Sequence, residues 1–309
     1  MGVRLLSKLL KSRCYEQTKQ IHLSELYGKK ICIDASIYLY RYKSQNALLE
    51  KIYLMCSLFR KYNIIPLFVF DGKPPKEKDA ELEKRAEERE QAYCMYDKLK
   101  EEWGDNMTKE QKLKLQELRK SMIRITRNNI DNVKSLLDGY GIKHITAINE
   151  ADALCANLVI KKKVFAVLTE DMDLFAYACP YILRYFSLVN HTCILYDIKK
   201  ILKTLSISKE DFKLLCVLSG NDYYNSGKNI FYYMKLYDKF KKITQKIKLI
   251  DWLKKYNYLN EVDFESIENI LKIYNNNDEL NNYKYFGIRF GSVDRELLYS
   301  VLEKERFVF

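Results

Sequence analysis

Residues 29–34 read KKICID, an apolar run that opens on two lysines and closes on an aspartate. The run is too short for a helix and is rich in isoleucine, the signature of a short buried strand. Ala47 to Tyr62 then carries Leu48, Ile52, Met55 and Phe59 at helical spacing, and Ile64 to Phe70 is a second apolar run of strand length. Together they make a βαβ unit, whose crossover is right-handed and whose strands run parallel. Upstream, Val3 to Leu10 reads as a short amphipathic helix. Downstream, the pattern predicts a helix over Thr126 to Tyr140 closed by Gly141, and a helix from about Glu150 to Lys162 with Asn149 as N-cap. Strands follow at Val164 to Thr169, Tyr181 to Phe186 and Thr192 to Tyr196. From Ser208, which pairs with Asp211 as a capping box, the rest is mainly helical. The expected fold class is α/β: a mostly parallel central sheet flanked by helices.

The regular pattern is interrupted once. Pro74 and Pro75 break the chain, and residues 76 to about 125 are highly charged, with alternating clusters such as EKRAEERE at 83–90 and few large apolar residues. Such a stretch has no apolar face to bury, so it reads as solvated helices projecting from the core, laced by weak i,i+4 ion pairs. No internal repeat or separating linker is present, and 1–309 reads as one domain. Its expected subregions are 1–75, the arm 76–125, a second core part 126–205, and a helical region 206–309.

The chain has 53 Lys and Arg against 41 Asp and Glu, a net charge of +12. That balance attracts a polyanion, nucleic acid above all. Hydrophobic content of 48% is ample for a packed core, and 13% aromatic residues with 10 Gly argue for folded structure rather than a basic tail. The eight cysteines form no CxxC pair and lie mostly in apolar runs, as buried thiols of a reducing compartment do. His22, His144 and His191 are scattered, so neither a zinc site nor a histidine-based triad is indicated. No apolar run reaches the roughly 18 residues of a membrane span, and Leu6 stands where a myristoylation signal needs Ser or Thr.

Three expected strands end in acid: Asp34 after ICI, Asp71 after LFVF, and Asp171 with Asp173 after VFAVLTE. In an open parallel sheet, sites form outside the carboxyl ends of the strands. One such aspartate is an ordinary turn residue; three together point to a site. Asp171 and Asp173 project to one side if extended, whereas Glu150 and Asp152 must straddle a helix start to converge. Two carboxylates about 4 Å apart repel by about 4 kcal/mol at an effective dielectric near 20, so such a cluster calls for cations. Oxygen-only ligands favour Mg²⁺ or Mn²⁺ over zinc, and two such ions suit phosphodiester hydrolysis.

At these residues the sequence resembles the flap endonuclease family of structure-specific 5′ nucleases, of the PIN-like superfamily, and within it the branch encoded by poxviruses. Six ordered blocks carry the resemblance: MGVRLLSKLL at the start, IDAS around Asp34, VFDGKPP around Asp71, NEADALCA around Glu150, TEDMD around Asp171 and LSGNDY around Asp222. By resemblance, Asp34, Asp71, Glu150, Asp152, Asp171, Asp173 and Asp222 hold two metal ions at the scissile phosphate. Relatives usually have Glu at the position of Asp152, one methylene longer, so there a water-mediated contact is expected to replace direct ligation. The resemblance makes 76–125 a helical arch through which a single-stranded 5′ flap passes, with Lys78 and Arg85 neutralising the scissile phosphate. It also implies that Tyr40 stacks on a base beside the cut and that Gly2 lies beside the DNA junction.

Two departures stand out. The relatives' glycine-rich hairpin after the last acid binds duplex backbone through K⁺, whereas NSGKNIFYYMKL at 225–236 has one glycine. Duplex contact is therefore expected through Lys228 and its neighbours, and the departure argues against K⁺. The end, ERFVF, has no recognisable sliding-clamp motif. The implied function is cutting of 5′ flaps and related branched DNA, with 5′ exonuclease activity, in replication, recombination or repair. The alternatives are a Holliday-junction or gap nuclease of the same superfamily, or a catalytically silent DNA-binding scaffold; retention of all seven acids speaks against the last. The poxvirus resemblance implies a cytoplasmic location, and the abundance of Lys, Ile, Asn and Tyr suits an AT-rich viral genome.

Overall fold

A computed structural model describes residues 2–303, apart from 76–77, 105, 225–226, 244–246, 260 and 276–286. In chain order its elements are α1 (Leu6–Arg13), β1 (Thr18–His22), β2 (Lys30–Asp34), α2 (Ala35–Lys43), α3 (Leu48–Lys61), β3 (Ile65–Phe70), α4 (Asp79–Trp103), α5 (Lys109–Ser121), α6 (Arg127–Gly139), β4 (Lys143–Thr146) and α7 (Ala151–Ile160). They continue with β5 (Ala166–Leu168), α8 (Asp173–Ala176), β6 (Tyr181–Ser187), β7 (Thr192–Asp197), α9 (Ile198–Leu205), α10 (Lys209–Leu218), α11 (Ile230–Phe240), α12 (Leu249–Lys255), α13 (Glu261–Asn275) and α14 (Arg295–Glu303).

The sheet has the order β1-β7-β6-β5-β2-β3-β4. The five strands from β6 to β4 are parallel, and β7 turns back antiparallel between β6 and β1. The expected mostly parallel sheet with flanking helices is what the chain forms. Alternation along the strands divides the core by face. Cys32, Leu67, Val69, Val167 and Ile182 pack with α1 and α7 to α13, while Ile31, Ile33, Phe68, Phe70 and Leu183 pack with α2, α3, α6 and α14. The helical stripe Leu48, Ile52, Met55 and Phe59 is buried as its spacing requires. β2 sits where strand order reverses, with β3 on one side and β5 on the other, which opens a crevice at its carboxyl end.

Several local expectations are corrected. The first helix starts at Leu6 rather than Val3, because Leu5 adopts a left-handed backbone, φ +62°. Glu150, not Asn149, is the N-cap of α7, and it makes no side-chain cap bond; the Ala151 N–H is instead taken by Asp71 Oδ1 at 2.8 Å. Asp171 and Asp173 do not lie on an extended segment. Thr169 Oγ1 accepts the Asp171 N–H at 3.0 Å, and Asp171 Oδ1 accepts the Asp173 N–H at 2.9 Å, a side-chain-closed turn that starts α8. Seven cysteines are buried and all eight are free, but Cys94 is exposed on α4.

The charged segment forms two helices packed on each other, α4 and α5, each with one buried residue, Ala92 and Leu115. It therefore stands off the core as a helical hairpin. Gly72 pins the chain just before it: its N–H donates to Asn149 O at 2.7 Å, and an added Cβ would lie 1.9 Å from Ala147 O. Gly72→Ala is expected to lower stability by about 3 kcal/mol, the upper end of overpacking effects, because the obstacle is backbone; urea denaturation with an unchanged midpoint would contradict this close approach. Among the described residues, no helix is long and apolar enough to cross a membrane.

Candidate functional site

The carboxyl edge of β2, β3 and β5 opens into a cavity of about 410 Å³ lined by Asp34, Asp71, Glu150, Asp152, Glu170, Asp171 and Asp222, together with Ser36, Ile37, Tyr40, Lys78 and Arg85. Strand pairing explains the gathering. Asp34 ends β2, Asp71 follows the last residue of β3, and Thr169 follows β5 and donates to Asp34 Oδ2 at 2.9 Å. Glu150 and Asp152 straddle the start of α7, which brings both to the same edge. Asp173 is buried just behind, and its Oδ1 has no hydrogen-bond partner.

Burial and mutual repulsion dominate the electrostatics. Burial, then the charge of Asp71, pushes Asp34 up to about 8. Asp152 is raised well above the carboxylate range by burial, then by Asp171, Asp34, Asp71 and Asp173. Asp173 is raised in the same way by burial, then by Asp171 and Asp222. Asp222 goes the other way: burial would raise it, but Lys78 and Arg85 outweigh that and hold it low.

Lys78 and Arg85 come from the base of the hairpin. Lys78 Nζ pairs with Glu150 Oε1 and lies 2.8 Å from Asp222 Oδ2, while Arg85 Nη2 lies 2.9 Å from the same oxygen. Arg85 Nε is held by Glu81 at 2.9 Å, one helical turn back. Two side-chain cations thus balance the outer acids. Among the described residues, no three acid, His or Cys side chains already form a tight ligand cage. The carboxylates instead ring a cavity into which Lys78 reaches.

The remaining expected residues divide. Tyr40 lines the cavity and is 47% exposed, whereas Tyr38 and Tyr42 on the same helix are buried. Gly2, φ +80°, lies against the acidic turn; an added Cβ would come within 2.9 Å of Asp171 Oδ1 and 3.1 Å of Asp173 Oδ1. Lys228 does not line the cavity; it precedes α11, with Nζ 5.4 Å from the Tyr232 ring. Residues 225 and 226 of its segment lie outside the described residues.

Four further residues belong to the site. Ser36 donates to Asp71 Oδ2, and Thr169 to Asp34. The Tyr223 hydroxyl donates to Glu150 Oε2. Glu170 lines the cavity and takes Arg41 Nη1 at 3.4 Å and the Tyr185 N–H at 2.8 Å. All four sit inside the IDAS, TEDMD and LSGNDY blocks, so adjacency to the acids was the available signal. Tyr223→Phe is expected to weaken divalent-cation affinity about tenfold, as loss of a carboxylate-orienting partner does; calorimetric titration with Mg²⁺ showing wild-type affinity would contradict that role.

Fold and site thus define an α/β protein that collects acidic side chains at the carboxyl edge of a parallel sheet, beneath a basic-footed helical hairpin. The XPG N-terminal domain matches residues 1–92 and the XPG I-region residues 141–222. Flap endonuclease 1 of Candida tropicalis is 33% identical over 276 residues, covering 83% of this chain and 72% of that protein. Flap endonuclease 1 of Lodderomyces elongisporus is 34% identical over 250 residues, covering 74% of this chain. The match spans 63% of the Lodderomyces protein, under two thirds of its length. Among solved structures, the catalytic core of Rad2 in complex with DNA substrate superposes with a TM-score of 0.67 at 21% identity, covering 98% of this chain and 95% of that one. Human GEN1 in complex with Holliday junction DNA gives 0.66 at 21% identity, covering 99% and 74%. The chain belongs to the flap endonuclease family.

Proposed function

We propose that the chain is a structure-specific DNA nuclease that hydrolyses phosphodiesters at 5′ flaps and related branched DNA, with 5′ exonuclease activity. The observation that carries this reading is the single cavity in which strand-end carboxylates meet Lys78 and Arg85 from the hairpin base. A net charge of +12 supports a polyanionic substrate.

The donor set fits hard divalent cations. It is all oxygen, and the buried Asp173 Oδ1 without a partner is the kind of orphan that a cation satisfies. We assign Asp34, Asp71, Glu150, Asp152, Asp171, Asp173 and Asp222 to hold two Mg²⁺ ions, for which Mn²⁺ can substitute; K⁺ is no part of the proposal. Bound Mg²⁺ supplies Lewis-acid charge that activates water and stabilises the leaving oxygen.

The chain's own groups do the positioning. Lys78 and Arg85 exchange Glu150 and Asp222 for the scissile phosphate, whose charge grows in the transition state. Thr169, Ser36 and Tyr223 fix the orientation of Asp34, Asp71 and Glu150. Tyr40 offers its exposed ring to a base beside the cut. Gly2 lets the chain approach the acidic turn without a side chain. Lys228 contributes a duplex phosphate contact outside the cavity. The hairpin α4–α5 forms an arch that admits a single strand, which selects a flap over a continuous duplex.

The products expected are 5′-phosphate and 3′-hydroxyl ends, in DNA replication, recombination or repair. A viral setting and a cytoplasmic location belong to the same proposal and rest on the poxvirus-type sequence resemblance. The test is a panel of labelled 5′-flap, gapped, nicked and four-way DNA substrates with Mg²⁺. Preferential cutting of the flap, abolished by EDTA, is the expected result. Preference for the four-way substrate replaces the flap reading with a junction nuclease, and cutting of single-stranded RNA alone replaces it with a PIN-type ribonuclease.

A further inference from the structure

Tyr185 lies within β6 with a left-handed backbone, φ +56°, where pairing with β7 slips between Arg184 and Ser187. That conformation is uphill for a bulky aromatic residue, and bulges beside active sites serve to re-aim a side chain. Burial of the ring does not account for it, since Tyr185 is 39% exposed.

What holds the residue is a tie to the cavity. Its N–H donates to Glu170 Oε1 at 2.8 Å, and Glu170 lines the acidic pocket. The same carboxylate takes Arg41, the neighbour of exposed Tyr40 on α2, so Glu170 contacts both segments that carry an exposed tyrosine. Buried Arg184 donates to Glu170 O at 2.6 Å, and its Cζ lies 5.0 Å from the centre of the Tyr185 ring. Lys11, on the exposed face of α1, places Nζ 5.9 Å from that ring centre. An exposed ring flanked by cations suits a nucleotide, with stacking for the base and an ammonium for the phosphate.

We propose that Tyr185 and Lys11 form a second nucleotide-binding platform beside the acidic pocket: the ring stacks on a nucleobase of the DNA strand next to the cut, and Lys11 meets its phosphate. This rests on the nuclease reading above. The strained bulge positions the ring, and Glu170 sets its distance from the pocket.

The test is binding of a fluorescently labelled 5′-flap DNA, followed by anisotropy with Ca²⁺ in place of Mg²⁺. Tyr185→Ala is expected to weaken binding about tenfold, while Tyr185→Phe and Tyr185→Trp stay within about twofold of wild type. Lys11→Ala is expected to weaken binding and lower its salt dependence by about one phosphate contact. Tyr185→Gly separates strain from stacking: it should melt above Tyr185→Ala, because glycine accepts the left-handed backbone, yet bind DNA equally weakly. The proposal is overturned if Tyr185→Ala binds within twofold of wild type, or if Tyr185→Phe binds as weakly as Tyr185→Ala. Cleavage by the wild-type chain reports separately on the nuclease reading. A chain that binds through Tyr185 but cuts nothing overturns that reading and leaves the platform standing.

Discussion

Replacing Asp171 and Asp173 together by asparagine is expected to abolish Mg²⁺-dependent cleavage of a labelled 5′ flap, by at least about 10³-fold, while sparing much of the DNA binding. The amides keep the shape of the turn, since an asparagine oxygen can still accept the N–H that Asp171 Oδ1 accepts. What disappears is the Asp171 carboxyl that lines the pocket and the Asp173 carboxyl buried just behind it. The same change should raise the stability of the metal-free protein. Burial and the charges of Asp171 and Asp222 lift Asp173 well above the ordinary carboxylate range, so above the unfolded-state value its ionisation opposes folding. Asparagine removes that opposition. Gel assays of cleavage, anisotropy for binding and melting in EDTA report the three effects, and full cleavage by the double variant would refute the assignment.

Lys78→Ala and Arg85→Ala are each expected to slow single-turnover cleavage by about 10²-fold, the usual cost of removing one positioned donor from developing phosphate charge. The two differ in what they leave behind. Lys78 bridges Glu150 and Asp222, so its loss strips both acids of a cation; Arg85 shares only Asp222 and keeps a second bond to Glu81. Lys78→Ala should therefore also raise the Asp222 pKa, since Lys78 comes first among the groups holding it down. Carbon NMR of the labelled carboxyl measures that shift. Arg85→Lys should recover part of the rate, because charge returns without the planar fork. Rates within threefold of wild type for both alanine variants would remove the hairpin base from the chemistry.

Legibility in the sequence followed burial. β2, α3 and β3 were readable because both strands are covered on two faces and become continuous apolar runs, and α3 has a single apolar stripe. Residues 18–22 and 143–146 carry no strand expectation, yet form the two edges of the sheet as β1 and β4. Their half-exposed positions admit Lys, Gln, His and Thr, which blurs the pattern. Residues 35–43 hold three Tyr and one Ile, which favour strands, but Ala35, Tyr38, Leu39 and Tyr42 bury one helical face. Tertiary packing overrode local preference there.

In the site, the strand-end acids Asp34 and Asp71 could be placed by pattern alone. Their supports could not. Thr169 reaches Asp34, and Tyr223 reaches Glu150, across contacts that only the folded sheet and α7 create. The segment around Asp171 misled for a related reason: spacing gives direction on a strand, but an aspartate that caps its own turn leaves the strand.

The last described helix has a bearing on how the molecule comes into being. α14 packs on α6, with Leu298, Val301 and Leu302 joining Val133, Leu136 and Leu137 in one cluster. Its approach is fixed by a near-touching pair of glycines, where the Gly291 N–H donates to Gly141 O at 2.7 Å and a Cβ on Gly141 would lie 2.4 Å from Ser292 O. A ribosome that has delivered the strands, the acids and the hairpin has still not delivered the helix that covers α6. Until residues beyond 290 emerge, the nascent chain carries a bare apolar face, so this side of the sheet stays uncovered until α14 has been made.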